Sequence, residues 1–211
     1  MSLKPSLKLA VAKGYIWDCA VSFFESCGWV LEDDLTKSRQ LWTYEKTQNI
    51  TLLRVRSWDV PSYVQEGGVD LGIVGKDVMI EQQSELNELL DLGFGGCKLV
   101  IASQKQVDMD QLDHYVRVAT KYVHSSLQYF KAKGLAIHPI KLAGAIELAP
   151  SVGMADMICD LTATGQTLKE NGLEIQDTVF ESTARLIANP VRFKEHYKRI
   201  LEIVNAFKAQ L

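Results

Sequence analysis

Residues 156–168 are Asp-Met-Ile-Cys-Asp-Leu-Thr-Ala-Thr-Gly-Gln-Thr-Leu, a pattern typical of a buried strand, a hydroxyl-rich turn and the start of a helix. The apolar run 158–161 predicts the strand and places Asp160 near its C-terminal end. Gly165 allows the backbone to turn sharply and to approach a ligand closely, because glycine has no Cβ. The stretch therefore predicts a loop built to hold a small molecule.

Three threonines surround this turn: Thr162, Thr164 and Thr167. A helix N-terminus leaves N–H groups unpaired and carries partial positive charge, so it favours a bound phosphate. A carboxylate just before such a turn, as Asp160 is, can reach the hydroxyls of a ribose or a metal ion. The pattern indicates a ribose-5-phosphate pocket, although the same residues also suit an ordinary N-capped helix after a strand.

The composition is that of an ordinary globular protein. Of the 211 residues, 47% are hydrophobic and 23% are charged, and the net charge is −3 with a pI of about 5.8. This balance predicts neither a nucleic-acid partner nor a membrane-surface partner. The length suits one large domain or two small ones, and any phosphate site must be a local feature of the chain.

The four cysteines are Cys19, Cys27, Cys97 and Cys159, and they form no C-x-x-C pair. We expect Cys97 and Cys159, which lie in strand-like contexts, to be buried as small apolar residues. This cysteine usage predicts a reduced, cytoplasmic protein. The sequence also shows neither a signal-peptide core near its N-terminus nor an apolar run of transmembrane length.

Strands and helices are predicted to alternate, which favours parallel α/β sheets. Strands are predicted at residues 7–12, 38–44, 50–55, 69–74, 97–102, 116–120, 136–142, 158–161, 173–181 and 184–188. Helices are predicted at 15–27, 60–66, 77–90, 125–133 and from 190 onward, where one apolar face comprises Phe193, Tyr197, Ile200, Leu201, Val204 and Phe207. Pro139 favours a sheet edge for its strand, and the glycines of residues 93–96 predict a hinge between two lobes. Trp42 and Trp58 are expected in the core rather than at an interface.

Cationic side chains follow several of the predicted strands. Lys13 follows the first strand, Arg56 ends the strand 50–55, and Lys76 with Asp77 follows the strand 69–74. Open α/β sheets bind ligands at the carboxyl ends of their strands. Arg56 is the stronger ligand candidate, whereas Arg54 suits a solvated sheet face, and each lysine taken alone also suits an exposed loop.

Segments across most of the chain together resemble the catalytic subunit of ATP phosphoribosyltransferase in its short form, which lacks a C-terminal regulatory domain. The segments are DVPSYV (59–64), VDLGIVGKDV (69–78), LDLGFGGCKLV (90–100), RVATKY (117–122), ELAP (147–150), ADMICDLTATGQTL (155–168) and ARLIANP (184–190). The piece 160–167 alone is shared with other phosphoribosyltransferases, so the combination carries the specificity.

The resemblance implies a two-lobed α/β fold like that of the type II periplasmic binding proteins, with the active site in the cleft between the lobes. Lobe I would comprise residues 1–94, completed by 184–211, and lobe II would comprise residues 95–183. The implied reaction transfers the phosphoribosyl group of phosphoribosyl pyrophosphate (PRPP) to N1 of the adenine of ATP, with Mg²⁺. It gives phosphoribosyl-ATP and pyrophosphate and is the first step of histidine biosynthesis.

The resemblance also implies a role for each site residue. The residues expected to bind PRPP are Glu147, Asp160, Thr162, Ala163, Thr164, Gly165, Gln166 and Thr167. Asp160 would contact the ribose hydroxyls, or Mg²⁺. The residues expected to stabilise charge in catalysis are Lys13, Arg39 and Arg56, and these three with Lys76 and Asp77 would bind ATP. No histidine lies in a matched motif, so no histidine base is expected.

The chain departs from the family pattern in three places. Tyr15 stands where the family usually has an arginine, Ala12 replaces a proline or serine, and Ala143-Gly144 replaces Asn-Gly. Because a phenol cannot supply the charge of an arginine at a pyrophosphate, the alternative hypothesis is a weak or inactive paralogue that binds PRPP or a nucleotide as a regulatory module. The family further implies a histidyl-tRNA-synthetase-like regulatory subunit as partner, and a homodimer of this chain.

Overall fold

The computed structural model describes residues 6–35, 39–105 and 115–211. Its strands are β1 (Leu7–Ala12), β2 (Trp42–Glu45), β3 (Ile50–Val55), β4 (Leu71–Gly75), β5 (Asn87–Asp91), β6 (Cys97–Ser103), β7 (Val116–Thr120), β8 (Ile137–Lys141), β9 (Met157–Thr162), β10 (Glu174–Ser182) and β11 (Ala184–Ala188). Its α-helices are α1 (Tyr15–Ser26), α2 (Val60–Gln65), α3 (Lys76–Gln82), α4 (Val123–Ala132), α5 (Gln166–Glu170), α6 (Pro190–Glu195) and α7 (Tyr197–Lys208). Short 3₁₀ turns cover Ser57–Asp59 and Ile146–Leu148.

The described residues form two compact units. The first contains the chain up to Met79, then Gln83–Gly95 and Thr183–Leu211, and the second contains Ile80–Gln82 and Gly96–Ser182. The chain passes from one unit to the other within its glycine-rich stretch, between Gly95 and Gly96. Within the described ranges, no helix is both long and apolar enough to cross a membrane.

The first unit is built on a sheet with the strand order β2-β3-β1-β4-β11-β5. Strand β1 pairs in parallel with β3 and β4, and its side chains are almost all buried, as expected for a central parallel strand covered on both faces. One face of the sheet packs on α1 and α7, through Phe24 and Phe207 among others. The opposite face packs on α2 and α3, through Val60, Val64 and Val78.

The second unit is built on a sheet with the strand order β10-β6-β9-β7-β8. Strands β9, β7 and β8 run parallel, whereas β6 is antiparallel to both β9 and β10. Its core includes Val100, Ala119, Ile158 and Leu168. Pro139 lies on β8, the edge strand, as its sequence predicted, because proline cannot donate a ladder hydrogen bond.

Both sheets are mixed: the parallel pairs that the alternation of strands and helices favoured are present, and antiparallel pairs accompany them in each sheet. The largest error concerns residues 77–90, which were expected to be helical. Helix α3 ends at Gln82, Gln83 adopts a left-handed φ of 51°, and residues 87–91 form β5. Helix-favouring residues form a strand there because β5 pairs with β11 and packs Leu89 and Leu90 against the core, and such tertiary contacts outweigh local propensity.

The C-terminal helix also differs from its prediction, because it breaks at His196 into α6 and α7. Three residues of the predicted face, Ile200, Val204 and Phe207, are buried, but Tyr197 is 50% exposed and Leu201 is 36% exposed, and Arg199 and Ile203 are buried in addition. Arg199 is tolerated in the interior because its Nη2 donates to the backbone carbonyl and the side-chain oxygen of Gln48.

Three smaller expectations are also resolved among the described residues. Trp42 is 60% exposed, so its assignment to the core is wrong, and the reason is its place at the start of the edge strand β2. That strand is shorter than expected, and Ser38, its predicted first residue, lies outside the described residues. Cys159 is buried as predicted, whereas Cys97 is only partly buried.

We predict that Phe207→Ala lowers the free energy of unfolding by about 3–5 kcal/mol, measured by urea denaturation. Phe207 is fully buried, and its ring centroid lies 5.1 Å from those of both Phe23 and Trp29. Truncation to alanine therefore leaves a cavity beside these two rings. Leu201→Ala on the same helix is the control, with an expected loss of about 1 kcal/mol or less. Equal losses in both variants would contradict the observed helix face.

Candidate active site

The stretch after β9 forms a tight loop that is closed by its own threonine hydroxyls. The N–H of Gly165 donates to Oγ1 of Thr162 at 2.7 Å, and the N–H of Gln166 donates to Oγ1 of Thr164 at 3.4 Å. Gly165 has a φ of 76°, a left-handed conformation that side chains with a Cβ rarely adopt. Helix α5 begins directly after it, and Leu168 anchors the helix in the core. The sequence thus predicted the strand, the turn and the helix start correctly.

Most of the loop's candidate ligand residues are accessible. Ala163, Thr164, Gln166 and Thr167 are exposed, and Thr162 and Gly165 are partly buried. The N–H groups of Gly165 and Gln166 are used within the loop, so the donors for an approaching anion are the remaining backbone N–H groups and the threonine hydroxyls. The loop is therefore a compact, neutral cradle whose donors are backbone amides and hydroxyls.

Asp160 and Glu147 form a pair of interacting carboxylates next to this loop. The pKa of Asp160 is raised to about 6, mainly by burial and also by the nearby charge of Glu147, while the N–H of Leu161 and the ammonium of Lys121 act in the opposite direction. Glu147 lies in the 3₁₀ turn Ile146–Leu148, which follows Ala145 in a left-handed conformation. Two carboxylates held together in this way suit hydroxyl donors or a cation, because either relieves their repulsion.

The carboxylate pair alone does not form a complete metal cage. The described parts of the chain contain no group of three or more His, Cys, Asp or Glu side chains that could hold a metal ion. Magnesium, however, is usually held by one or two carboxylates together with substrate phosphates and water. The donor set of Asp160 and Glu147 therefore fits a magnesium ion that arrives with a phosphorylated substrate.

Three cations of the first unit gather at one edge of its sheet. Strands β1 and β3 are parallel and end together, and the N–H of Lys13 donates to the carbonyl of Val55 at 2.7 Å, next to Arg56. Arg39 shortly precedes β2, which is antiparallel to β3 and starts where β3 ends. Lys13, Arg39 and Arg56 are all exposed, so their charges are available to an anionic ligand.

Lys76 and Asp77 follow β4 at the start of α3, and both are already engaged. Lys76 forms an ion pair with Glu88, and Asp77 is only 5% exposed. Arg54 is partly buried and its guanidinium lies 6.0 Å from the ring centroid of Trp17, a cation–π contact that favours a structural role.

Tyr15 is the first residue of α1 and is 68% exposed. It directly follows Gly14, whose φ is 86°, and stands two positions after Lys13. A hydrogen bond with Cys19 raises the pKa of the Tyr15 phenol, so the side chain is neutral at physiological pH. The position therefore offers a hydroxyl but no positive charge.

Lys121 is the residue near this site that the sequence did not single out. It is partly buried and follows β7, whose last residue, Thr120, pairs with Cys159 of β9. The available signal was its place directly after a predicted parallel strand, the same signal that singled out Lys13.

We predict that Asp160→Asn raises the free energy of unfolding by about 2–3 kcal/mol near pH 8 and changes it little below pH 4. The pKa of Asp160 is raised to about 6 in the folded state, so the folded protein binds this proton more tightly than the unfolded chain does. Stability is consequently lost as the pH rises from about 4 to above 6, and asparagine removes that loss. Urea denaturation across this pH range measures the effect.

Asp156→Asn is the matched control, and we expect it to change the free energy of unfolding in the opposite direction. Hydrogen bonds from Arg117 lower the pKa of Asp156, so its ionised form stabilises the fold above the ordinary pKa, and this contribution is lost as the pH falls. The control variant should be less stable than the parent protein near pH 8. A neutral or destabilising Asp160→Asn at that pH would contradict the burial of an unfavourable charge.

Known proteins resemble this chain over nearly its whole length. A family model described as ATP phosphoribosyltransferase (HisG) matches residues 56–209. An ATP phosphoribosyltransferase of Alkaliphilus metalliredigens is 40% identical over 199 residues, covering 94% of this chain and 95% of that protein. One from Moorella thermoacetica is 41% identical over 209 residues, covering 96% of this chain and 92% of that protein.

Solved structures agree with these relatives. A chain of the ATP phosphoribosyl transferase (HisG:HisZ) complex from Thermotoga maritima superposes with a TM-score of 0.82 at 30% identity, covering 97% of this chain and 98% of that chain. The periplasmic aliphatic sulphonate binding protein SsuA of Escherichia coli superposes with a TM-score of 0.63 at 16% identity, covering 97% of this chain and 68% of that chain, which shows likeness of fold alone. The predicted class, an α/β fold like that of the type II periplasmic binding proteins, is confirmed. With a family model over most of its length and relatives at 40% identity over nearly all of it, the chain belongs to the ATP phosphoribosyltransferase family.

Proposed function

We propose that the loop 162–167 and the carboxylates of Asp160 and Glu147 bind PRPP in the reaction of this enzyme. That reaction transfers the phosphoribosyl group from PRPP to N1 of the adenine of ATP, giving phosphoribosyl-ATP and pyrophosphate, and it is the first step of histidine biosynthesis. The observation that carries the proposal is the closed loop, with its Gly165 turn, directly beside the carboxylate pair. This arrangement matches a molecule with a phosphate at one end and ribose hydroxyls next to it.

The loop would bind the 5′-phosphate without a full positive charge. The backbone N–H groups of Ala163, Thr164 and Thr167 and the hydroxyls of Thr164 and Thr167 supply donors, and the start of α5 adds a small positive potential. A neutral cradle of this kind holds the phosphate firmly in position without adding a lysine or arginine. Position is what the reaction needs, because the attacking nitrogen and the leaving group must lie on opposite sides of C1.

Asp160 and Glu147 would accept hydrogen bonds from the 2′- and 3′-hydroxyls of the ribose. The same carboxylates favour the positive charge that develops on the ribose ring as the bond to pyrophosphate breaks. A bound Mg²⁺ would neutralise pyrophosphate charge, held by substrate oxygens with Asp160 as the protein ligand. The nucleophile needs no side-chain base, since N1 of adenine attacks with its own lone pair.

Lys13, Arg39 and Arg56 are proposed to stabilise the pyrophosphate and the phosphates of ATP. Their support is their exposure and their common position at the carboxyl edge of the first sheet. Lys76 and Asp77 complete the proposed ATP residues, with Lys76 leaving Glu88 to do so. Highly charged leaving groups require such neutralisation, because separated charge in the transition state is otherwise unfavourable.

We also propose the partners and the location of the enzyme. A regulatory subunit is supported by the superposition on a chain of a HisG:HisZ complex, and a homodimer of this chain is kept as the family's expectation. A cytoplasmic location is supported by the four free cysteines. The exposed phenol of Tyr15, in place of the arginine that the resemblance led us to expect, supports weaker stabilisation of pyrophosphate. From the alternative hypothesis of a weak or inactive paralogue, we keep only this lower activity.

We predict that Thr164→Val and Asp160→Asn each weaken PRPP binding about tenfold or more, measured by calorimetry in the presence of Mg²⁺. The first variant removes a hydroxyl donor from the phosphate loop, and the second removes the charge that orients the ribose. Thr178→Val, on the exposed face of the edge strand β10, is the control and should bind normally. Normal PRPP affinity in both site variants would refute the assignment of this pocket.

A second prediction concerns turnover and the first loop. An absorbance assay with ATP, PRPP and Mg²⁺ should detect phosphoribosyl-ATP formation by the full chain together with its regulatory subunit. Tyr15→Arg should raise kcat/KM for PRPP by about tenfold, because a guanidinium stabilises the departing pyrophosphate and a phenol does not. Tyr15→Phe, which lacks the hydroxyl but adds no charge, is the control. An arginine variant no better than the parent would show that another cation already serves the leaving group.

A further inference from the structure

A chain of hydrogen bonds rigidly holds the segment between β7 and α4. The hydroxyl of Thr120 donates to the carbonyl of Cys159 at 2.6 Å and accepts the N–H of Tyr122 at 2.8 Å. The hydroxyl of Ser126 donates to the carbonyl of Tyr122 at 2.7 Å. Thr120, Tyr122 and Ser126 are all buried, so these bonds are shielded from water. Lys121 lies between two residues whose backbone positions are therefore set.

Glu81 completes this support from a distant part of the chain. Helix α4 has no capping side chain of its own at Tyr122. The carboxylate of Glu81 instead accepts the N–H of His124 at 2.8 Å, and the N–H and the hydroxyl of Ser125 at 2.9 and 2.8 Å. One carboxylate thus satisfies two of the helix's unpaired N–H groups and complements its dipole.

The position of Lys121 is next to the proposed ribose site. Strands β7 and β9 are parallel, and Thr120 pairs with Cys159, so Lys121 and Asp160 are the neighbouring residues that follow. The ammonium of Lys121 is close enough to lower the pKa of the Asp160 carboxyl. The phosphate loop continues from β9, whereas Lys121 follows the adjacent strand β7, so it belongs to a different segment from that loop.

We propose that Lys121 binds the pyrophosphate group of PRPP at C1 of the ribose, and that Glu81 is the positioning residue that holds Lys121 there. This inference rests on the PRPP site proposed above and adds a cation to it. The 5′-phosphate is assigned to the threonine loop and the hydroxyls to the carboxylates, and Lys121, from the strand beside Asp160, adds a further cation for the pyrophosphate to the Lys13, Arg39 and Arg56 proposed above. When the C1–O bond breaks, its electron pair departs with the pyrophosphate, and a pre-positioned ammonium stabilises that charge.

The test separates the parts of the substrate by calorimetry on the full chain with Mg²⁺. The probes are PRPP, inorganic pyrophosphate, ribose 5-phosphate and ATP. Lys121→Met should weaken PRPP and pyrophosphate binding by about tenfold to hundredfold and leave ribose 5-phosphate and ATP within about twofold. Lys121→Arg, which retains the charge, should stay within about fivefold of the parent for every probe. Lys131→Met, on the exposed last turn of α4, is the control and should bind all probes normally.

Glu81→Gln tests the positioning role in steady-state kinetics. It should raise KM for PRPP by about threefold to tenfold and leave KM for ATP unchanged. An equal rise in both KM values, or a fall in kcat alone, would mean that Glu81 only supports the fold. Circular dichroism checks that the variant remains folded.

The outcomes distinguish this proposal from the site on which it rests. Unchanged pyrophosphate affinity in Lys121→Met, or an equal loss for ribose 5-phosphate, overturns the role of Lys121. If Thr164→Val leaves ribose 5-phosphate binding unchanged, the phosphate loop itself is misassigned, whatever Lys121→Met does. A selective loss for pyrophosphate in Lys121→Met, together with a loss for ribose 5-phosphate in Thr164→Val, supports both.

Discussion

The parallel pairing of β7 with β9 is the constraint on which the chemistry of the second unit depends. At the last residue pair of these two strands, the hydroxyl of Thr120 donates a hydrogen bond to the carbonyl of Cys159. Because the two strands end side by side, Asp160 and Lys121 become neighbours although 39 positions separate Thr120 from Cys159 along the chain. The phosphate loop and α5 then follow from β9 in a direction that the sheet has already set.

The ionised carboxylate of Asp160 lowers the stability of the folded protein. Asp160 is an unfavourable charge in the folded protein, since burial and Glu147 both raise its pKa. A carboxylate kept partly from water forms stronger interactions with ribose hydroxyls, or with a cation, than one in solvent would. If the proposed PRPP site is correct, hydroxyl groups or a cation bound there would relieve the repulsion between the two carboxylates, and this relief would contribute to recognition. The first unit contributes differently, with exposed cations on a sheet edge and no buried charge among them.

The accuracy of the sequence-based predictions follows a physical pattern. Strands β1, β3, β7 and β11 were predicted with their observed bounds, because each is a short, mostly apolar segment in the interior of its sheet. The errors arose where a long-range contact decided the outcome. Residues 87–91 have helix-favouring side chains but pair with β11, and the last helix breaks at His196, after which Tyr197 and Leu201 are exposed rather than buried. Neither pairing partners nor helix breaks of this kind are encoded in local periodicity.

Residue type and spacing within short segments were enough to identify the family and to predict a phosphate loop, because the glycine turn, the threonine hydroxyls and the carboxylate before them all lie within a few positions of one another. The resemblance also led us to expect Glu147 at the same site, and in the structure its charge acts on Asp160. The places of Lys121 on the next strand and of Glu81 at the start of α4 emerge only from the folded chain. The physical reason is that strand order and helix docking are set by the burial of whole faces, a property of the assembled core that no local pattern contains.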